Sequence, residues 1–323
     1  MFNLKKIMVK AVCCGLLLSL LPVTGCSKFK EIMESQASQK EEDEQLKFDD
    51  EKDFERFYSK EIGKALKDND KDALEALFCS TVTDNTADLN EGIEYVMELD
   101  DWSGCTCSAR GSTSYQEYGG GYRWRYVYSN ATLKSGDAEY RLYFSGFAYY
   151  YIDSKNSKEN TGLTNLCIVE LDSKGKEKDT VYNVINGINH PGREDVETIV
   201  NTVLNTKSST NSDGSYIDTM TDEALASIMS PELLNSADED ELEAFYRFIR
   251  LDQKAKKHGY FFFLDQNGSD IILTADVHLY KTGDHCLKLL IEDGRIAGAV
   301  LGDESNLGNP KSGQINGFDG VIE

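Results

Sequence analysis

The feature that most constrains the fold is a change of hydrophobic period that occurs twice along the chain. Apolar residues first recur at three- and four-residue spacing, which is typical of helices with one buried face, and then alternate with polar residues, which is typical of strands. Each half therefore predicts three helices followed by an antiparallel meander of about four strands. This order indicates an α+β fold of two tandem domains, each with helices on one face of a curved antiparallel sheet.

The elements of the first half follow from this pattern. Helical spacing predicts helices over 54–66, 72–78 and 89–97, and Asp88 is in position to cap the third. Alternation after Trp102 predicts strands over 104–116, 122–133, 138–152 and 163–171.

The second half repeats the order after Pro191, where we place the domain boundary. Helices are predicted over 194–204, 221–229 and 238–251, the last two capped by Thr221 and Asp238. Strands are predicted over 259–264, 270–281, 285–292 and 295–301. The dipeptides Asn267-Gly268 and Asp293-Gly294 are the strongest hairpin signals in the chain.

The N-terminal segment is typical of a secretory signal peptide. Lys5, Lys6 and Lys10 precede an apolar run over 11–23, which is shorter than the ~20 residues of a membrane-spanning helix. The run ends in Val23-Thr24-Gly25-Cys26, which resembles the lipobox of bacterial lipoproteins. The resemblance implies that residues 1–25 are removed, that Cys26 carries the lipid, and that the protein lies on the outer face of the cell membrane.

The net charge limits the partners. The chain has 56 acidic and 34 basic side chains, so its formal net charge is −22, and removal of three signal-peptide lysines makes it more negative. Such a body is repelled by nucleic acid and by anionic membrane surfaces, so we expect no nucleic-acid partner. A basic protein partner is favoured by charge complementarity, and the membrane is reached through the lipid anchor alone.

These features divide the chain into five segments. Residues 1–25 form the lipoprotein signal peptide, and residues 26–47 form a polar, charged tether. Residues 48–190 and 191–304 form the two domains. Residues 305–323 are predicted to be a flexible tail.

Part of the first half resembles a known family. The stretches NDKDALEALFCSTVTDNTADLNEGIEYVMELDDW and NTGLTNLCIVEL are similar to an uncharacterised family of Gram-positive lipoproteins, in which a Gly-Leu pair, here Gly162-Leu163, introduces the last strand. The resemblance covers 52–172. The order of helices and strands is likewise similar to the nuclear transport factor 2-like and cystatin-like cone folds. The resemblance implies a cone-like fold and a lipid anchor, and it brings no catalytic residues.

Aromatic strands supply the first candidate site. Alternation places four aromatic side chains on one face of the second strand: Tyr122, Trp124, Tyr126 and Tyr128. Arg123 and Arg125 occupy the other face, and Tyr150 lies on the next strand. Three interpretations remain open, namely a packed core, a pocket for an apolar ligand, and a protein-binding surface rich in Tyr, Trp and Arg.

A second candidate is the pair of Asp276 and His278, two residues apart on one strand face. A carboxylate beside an imidazole is suited to general-base chemistry. The opposite face of this strand is the apolar one, however, so a solvated outer sheet face is the simpler interpretation.

The cysteines and acidic runs give weaker signals. Five cysteines follow Cys26, an odd number, and we expect free thiols, with a Cys79–Cys167 or Cys107–Cys167 bridge as the alternatives; the five are Cys79, Cys105, Cys107, Cys167 and Cys286. No zinc-ligand spacing surrounds them. The acidic runs over 41–44, 49–53 and 238–241 lack calcium-loop spacing and are typical of linkers and helix caps.

No nucleotide-binding, serine-hydrolase or zinc-protease motif occurs in the sequence, and no cofactor or metal is predicted. The sequence therefore favours a lipid-anchored, non-catalytic module that binds an envelope protein or a toxin. The alternative is a small-molecule or acid/base site inside one of the cone-like domains.

Overall fold

Four helices open the first half of the chain: α1 (Glu51–Asp68), α2 (Lys71–Glu75), α3 (Ser80–Asn85) and α4 (Leu89–Glu98). The computed structural model describes residues 48, 50–119, 122–152, 155–157, 159–178, 185–204, 209–210, 216–217, 221–251, 256–267, 270–303 and 307–319. Helix α1 begins where the Asp50 carboxylate accepts from the Asp53 N–H, and it ends at Asn69 in the left-handed region. The short helix α3 was not among the sequence-predicted elements.

The first sheet contains the strands β1 (Thr106–Gly119), β2 (Tyr122–Ser135), β3 (Ala138–Ile152), β4 (Lys155–Asn156), β5 (Gly162–Glu170) and β6 (Gly187–Ile188). The strand order is β1-β2-β3-β5-β6, and β4 pairs with β3. All pairs are antiparallel except that of β5 with β6. In this described sheet β1 therefore lies at an edge.

One face of the first sheet carries α1. The Phe54 and Phe144 rings stack at 6.4 Å between their centroids, and both side chains are buried. Farther along β1, the hydroxyls of Ser112 and Ser114 bond to carboxylates of α1. The helix consequently runs along β1, and the alternation of each strand defines a helix-bearing face and an opposite face.

The second half has the same order of elements. Its helices are α5 (Glu194–Leu204), α6 (Asp222–Ser227), α7 (Pro231–Ser236) and α8 (Glu239–Arg250), and its strands are β9 (Lys256–Asn267), β10 (Asp270–Leu279), β11 (Gly283–Glu292), β12 (Arg295–Gly302) and β13 (Ile315–Asn316). A separate two-stranded hairpin pairs β7 (Ser209–Thr210) with β8 (Tyr216–Ile217). The sheet order is β13-β12-β11-β10-β9, and its core lies between this sheet and the helices. The α+β class with two helix-plus-sheet halves is thus confirmed.

Local signals of the second half are also confirmed. The hydroxyl of Thr221 accepts from the Ala224 N–H, and the carboxylate of Asp238 caps α8. Asp293 and Gly294 both have positive φ, 48° and 68°, as the two-residue hairpin between β11 and β12 requires. The Asn267-Gly268 turn extends beyond the described residues.

The two halves are structural repeats. Phe78 pairs in parallel with Leu163 at the start of β5, and Met229 pairs in parallel with Ile296 at the start of β12. In both halves the bridging residue precedes a short helix and follows another. Each half then closes with a two-residue strand parallel to its last long strand, β6 on β5 and β13 on β12.

This repeat corrects the prediction of a flexible tail over 305–323. Within the described residues 307–319, β13 pairs with β12, and Ile315 and Phe318 are buried in the second core. The Phe318 ring packs edge-on against Phe245 of α8 at 4.8 Å. The segment closes the second repeat as β6 closes the first, and two residues are too few to give a periodic sequence signal.

The halves join along the edge of β9. The Ala87 N–H donates to the Leu264 carbonyl and the Asn186 N–H donates to the Phe262 carbonyl, each at 3.0 Å. The Asn186 side chain in turn accepts from the Phe262 N–H. Ile185, which precedes the predicted boundary at Pro191, is buried in the second core. Residues 48–323 therefore form one compact unit.

Candidate functional site

The predicted aromatic face of β2 divides into a covered part and an open part. Trp124 and Tyr126 are buried, whereas Tyr128 is 42% exposed. Register places all three on the face of the sheet opposite α1, since Tyr126 pairs with Phe147 across a bulge in β3. The side chain of Tyr122 lies outside the described residues.

The covered part packs against the second half of the chain. Trp124 and Tyr126 each contact the Phe147 ring edge-on, at 5.9 Å and 4.8 Å between centroids. Phe147 also contacts the half-buried Tyr150 and, at 5.5 Å, Phe261 of β9. These rings form an aromatic cluster at the junction of the halves, which is the core interpretation for Trp124, Tyr126 and Tyr150.

The Tyr126 hydroxyl has polar partners within this junction. It lies 2.6 Å from the Thr164 hydroxyl and 3.0 Å from the Ser145 hydroxyl. Asn165 continues the network, because its amide nitrogen donates to the Ile185 carbonyl at 2.8 Å. A buried phenol with several partners is satisfied within the fold and serves the joint between the halves.

The open part of the face consists of Tyr128 and Tyr115. Tyr115 lies on the edge strand β1, is 60% exposed, and contacts the Tyr128 ring edge-on at 6.0 Å. The Tyr128 ring packs edge-on against the ring of the buried Tyr126, with 5.0 Å between their centroids. Exposed rings supported by a buried ring present a rigid aromatic surface.

The helix-bearing face of the same hairpin end carries a second exposed group. Tyr118 is 60% exposed, and the Arg123 guanidinium lies 5.0 Å from its ring centroid and 5.1 Å from that of Tyr149. Arg125 lies 5.4 Å from the Tyr149 centroid. The Gln116 amide oxygen accepts from the Tyr118 hydroxyl at 2.6 Å. These cation–π contacts and hydrogen bonds order side chains that would otherwise be mobile.

We call the exposed side chains at this end of β1 and β2 the hairpin surface: Tyr115, Tyr118, Arg123 and Tyr128. Within the described part of the chain, no carboxylate lies within ion-pair distance of Arg123, whose contacts are with Tyr118 and Tyr149. The hydrogen bond with Tyr149 and the charges of Arg123 and Arg125 lower the pKa of the Tyr118 phenol. Burial raises the pKa of the Tyr149 phenol.

Sequence reasoning missed Tyr115 and Tyr118 as surface residues. Both belong to the predicted strand or its continuation, because β1 extends to Gly119 rather than ending at 116. The available signal was the alternation in TSYQEYG, which places Tyr115 on one face and Tyr118 on the other. Only the sheet order shows that β1 is an edge strand with these rings uncovered.

The Asp276 and His278 side chains are exposed on the outer face of the second sheet. His278 hydrogen-bonds to Asp284 across the strand pair, with 2.7 Å between Nδ1 and Oδ1. His285 pairs with the core-facing Val277, so it does not join His278. Burial lowers the pKa of the His285 imidazole. The structure therefore places Asp276 and His278 on a solvated face, where His278 hydrogen-bonds to Asp284.

The five cysteines after Cys26 are free thiols. Cys79, Cys105, Cys167 and Cys286 are buried, and Cys107 is half-buried. Burial raises the pKa of the Cys79 and Cys107 thiols to about 12, so both are protonated at neutral pH. Protonated thiols are poor nucleophiles, which argues against a catalytic role for these two.

A buried ionic cluster at the junction was not predicted. Asp88 lies at the N-cap position of α4, but its carboxylate makes no capping bond. It accepts instead from Arg193, at 2.7 Å from Nε and 2.5 Å from Nη2, and it lies 3.1 Å from His190 Nε2. Arg193 is 1% exposed and also donates to the Ile185 carbonyl at 3.2 Å. This arrangement ties the first half to the segment that enters the second.

The electrostatics of the cluster favour an ionised Asp88. Burial by itself raises the pKa of this carboxyl, but hydrogen bonds and charges from Arg193 and His190 outweigh burial and hold the pKa well below its usual range. The bidentate geometry is that of a strong Arg–carboxylate pair. Because the Asp88 carboxylate and the Arg193 guanidinium bond to each other, the cluster is structural rather than a reactive centre.

Other predicted features lie outside the described residues, namely Cys26, the tether over 26–47 and the acidic run over 41–44. In the described part of the chain, no helix is long and apolar enough to cross a membrane. Within the same residues, no three His, Cys, Asp or Glu side chains converge as metal ligands.

Comparison with known proteins gives one match. Residues 61–171 match a family model described as Domain of unknown function (DUF5104), about a third of the chain, from the middle of α1 to the end of β5. The matched segment contains the hairpin surface. No curated protein and no solved structure matches the chain.

Proposed function

We propose that the protein is a lipid-anchored binding module of the outer membrane face, and that the hairpin surface is where it contacts a protein partner. The observation that carries the proposal is the exposure of three tyrosines at the edge of the sheet, two at 60% and one at 42%. Tyr115 and Tyr128 contact each other on one face, and Tyr118 contacts the Arg123 guanidinium on the other face. Tyrosine and arginine are enriched among residues that dominate binding energy, because they bury large areas at modest entropy cost.

Charge supports the choice of partner. The net charge of −22 attracts a basic protein over a distance and accelerates encounter at low salt. The hairpin surface then supplies aromatic contacts at short range. Among the described residues no carboxylate forms an ion pair with Arg123, so its charge is available to a partner. We therefore propose a basic envelope protein, or a basic toxin, as the partner.

The anchor and the fold relationship complete the proposal. A lipidated Cys26, implied by the lipobox, holds the folded unit outside the membrane through the polar tether. The order of helices followed by a curved sheet, repeated twice, supports kinship with nuclear transport factor 2-like and cystatin-like cone folds. The small-molecule alternative is less favoured, because Trp124 and Tyr126 already contact other rings and hydroxyls.

Binding is tested by comparing two variants of the full chain as bait in envelope extracts. One carries Tyr115→Ser, Tyr118→Ser and Tyr128→Ser, and the other carries Tyr280→Ser, which removes a tyrosine that is 82% exposed on the second half. A partner retained by the wild type and the Tyr280 variant, lost from the triple variant, and released by high salt supports the proposal. Equal retention by all three proteins contradicts it.

The anchor is tested separately by Cys26→Ser. Metabolic labelling with a fatty-acid analogue and membrane fractionation are expected to show a labelled, membrane-bound wild type and an unlabelled variant. Labelling that persists in the variant would show that lipid is attached elsewhere or that the membrane association has another cause.

A further inference from the structure

A groove of about 530 Å³ lies between α1 and the start of β1, away from the hairpin surface. It is lined by Arg56, Ser59, Lys60, Gly63, Lys64, Lys67, Cys105, Thr106, Cys107 and Ala109. Its volume is within the usual range of small-molecule sites. At the groove α1 lies close to the strand, because a Cβ on Gly63 would be only 2.7 Å from Cys107 Cβ.

Every charged side chain that lines the groove is a cation. This is notable in a chain whose acidic side chains outnumber its basic ones by 56 to 34. Arg56 lies 3.6 Å from the exposed Asp53, and Lys60, itself exposed, lies 3.3 Å from the half-buried Glu61. Ion pairs made by exposed cations are weak and exchange readily with a ligand. Among the described residues, Lys64 and Lys67 have no carboxylate within ion-pair distance.

A buried donor also lines the groove. Ser59 is 3% exposed, and its hydroxyl has no hydrogen-bond partner within the described structure. A buried hydroxyl without a hydrogen-bond partner destabilises the fold unless a ligand or water bonds to it.

The floor of the groove is uncharged. It includes Cys105 and Cys107, and the Cys105 thiol lies 3.5 Å from the Gly63 carbonyl. Burial raises the pKa of both thiols, so they are protonated at neutral pH and do not repel an anion. The site therefore combines a neutral floor with a cationic wall and a hydroxyl that lacks an acceptor.

The cations are spread along the helix. Arg56 and Lys60 are four residues apart, Lys64 and Lys67 are three apart, and the whole row extends roughly 16 Å at 1.5 Å per residue. One small anion cannot contact the full row, whereas two phosphate groups can each meet a neighbouring pair. Phosphate oxygens accept several bonds each, as ammonium and hydroxyl donors require.

We propose that this groove binds a ligand carrying two phosphate groups or phosphodiesters, one held by Lys64 and Lys67 and the other by Arg56, Lys60 and the Ser59 hydroxyl. The site is independent of the hairpin surface, and its ligand is either a soluble phosphorylated compound or a phospholipid headgroup. The two sources share the same recognition chemistry, and the test distinguishes them.

The test is titration calorimetry of the full chain in non-ionic detergent with two probes that each carry two separated phosphates, namely soluble fructose 1,6-bisphosphate and a short-chain tetrahexanoyl cardiolipin, whose headgroup has two phosphodiesters. Three variants are compared, namely Lys64→Gln with Lys67→Gln, Ser59→Ala, and a control pair, Lys52→Gln with Lys71→Gln. The control removes the same charge from exposed lysines, one on α1 and one on α2, that do not line the groove.

We expect at least tenfold weaker binding in the Lys64/Lys67 variant and weaker binding in Ser59→Ala, with at most a twofold change in the control. Bisphosphate binding with this pattern supports a soluble ligand, and binding of the cardiolipin probe alone supports a phospholipid headgroup. No binding of either probe, or equal loss in the groove and control variants, overturns the proposal.

Discussion

At the residue scale, the contact that most shapes the molecule is the pair of Asp88 and Arg193. The sequence correctly places Asp88 at the start of a helix, because a helix cap is predicted from neighbouring residues alone. The carboxylate, however, bonds to Arg193, which is more than a hundred residues away, and does not cap the helix. Local sequence patterns cannot predict a contact over that separation.

Removing the arginine is expected to leave the largely buried Asp88 carboxylate without its main partner. We predict that Arg193→Met lowers the free energy of unfolding by about 3–5 kcal/mol. Arg250→Met is the matched control, because Arg250 pairs with Asp222 at the surface, where such a pair contributes at most about 1 kcal/mol. Urea denaturation measures both, and equal losses in the two variants would contradict the assignment.

The depressed pKa of Asp88 predicts a pH dependence of stability. The ionised carboxylate stabilises the fold fully above the unfolded-state pKa of about 4, and this contribution is lost as pH falls from there towards the lower folded-state pKa. Asp88→Asn is thus expected to be clearly less stable than wild type at pH 7, with a gap that narrows below about pH 4. Thermal melts from pH 7 to pH 3 measure the gap, with Asp222→Asn as the control. A gap that is constant over this range would contradict the prediction.

At the element scale, the sequence predicted every long strand with small errors at the ends. The third strand was predicted over 138–152, and β3 extends over Ala138–Ile152. Strong alternation makes such strands visible. The short elements α3, α7, β6 and β13 were missed, because six helical residues, or two strand residues, are too few for a hydrophobic period to repeat visibly.

The alternation of residues in a strand does not predict whether another part of the chain packs on a given face of the sheet. Trp124, Tyr126 and Tyr128 follow one alternating pattern, yet the first two are buried and the third is exposed. The difference arises because Phe261, from the other half of the chain, packs near Trp124 and Tyr126. Which end of an aromatic strand remains open depends on tertiary packing.

The closing strand of the second repeat gives an element-scale prediction. Phe318 is fully buried against Phe245 and Phe248, so Phe318→Ala is expected to destabilise the fold by about 3–5 kcal/mol. The exposed Tyr280→Ala is the control and is expected to change stability by about 0.5 kcal/mol or less. A Phe318 variant as stable as the control would restore the idea of a flexible tail.

At the scale of the whole molecule, the repeats are joined by backbone bonds rather than by a linker alone. Ala87 and Asn186 of the first half donate backbone hydrogen bonds to carbonyls at the edge of β9, so this edge is not open. The edge of β12 is similarly covered by β13. The edge strand β1, with the hairpin surface at its end, is left open in the described structure, and this asymmetry supports our proposal that the binding surface lies on the first repeat.

The joint predicts cooperative unfolding of residues 48–323. Calorimetry of the full chain is expected to show one transition for both halves, with equal calorimetric and van't Hoff enthalpies. Asn186→Ala removes side-chain bonds to Asn165 and Phe262 and is expected to cost about 1–3 kcal/mol. Two separate transitions in the wild type would show that the halves are independent.

The central claim is that the hairpin surface contacts a protein partner in the cell. The most direct measurement is photo-crosslinking with a reactive amino acid placed at Tyr115 or Tyr118, compared with the same residue placed at Tyr280. We predict a discrete adduct from Tyr115 and Tyr118 that disappears when Arg123→Ala is added, and no such adduct from Tyr280. An adduct that forms equally at Tyr280, or none at the hairpin surface, would contradict the account.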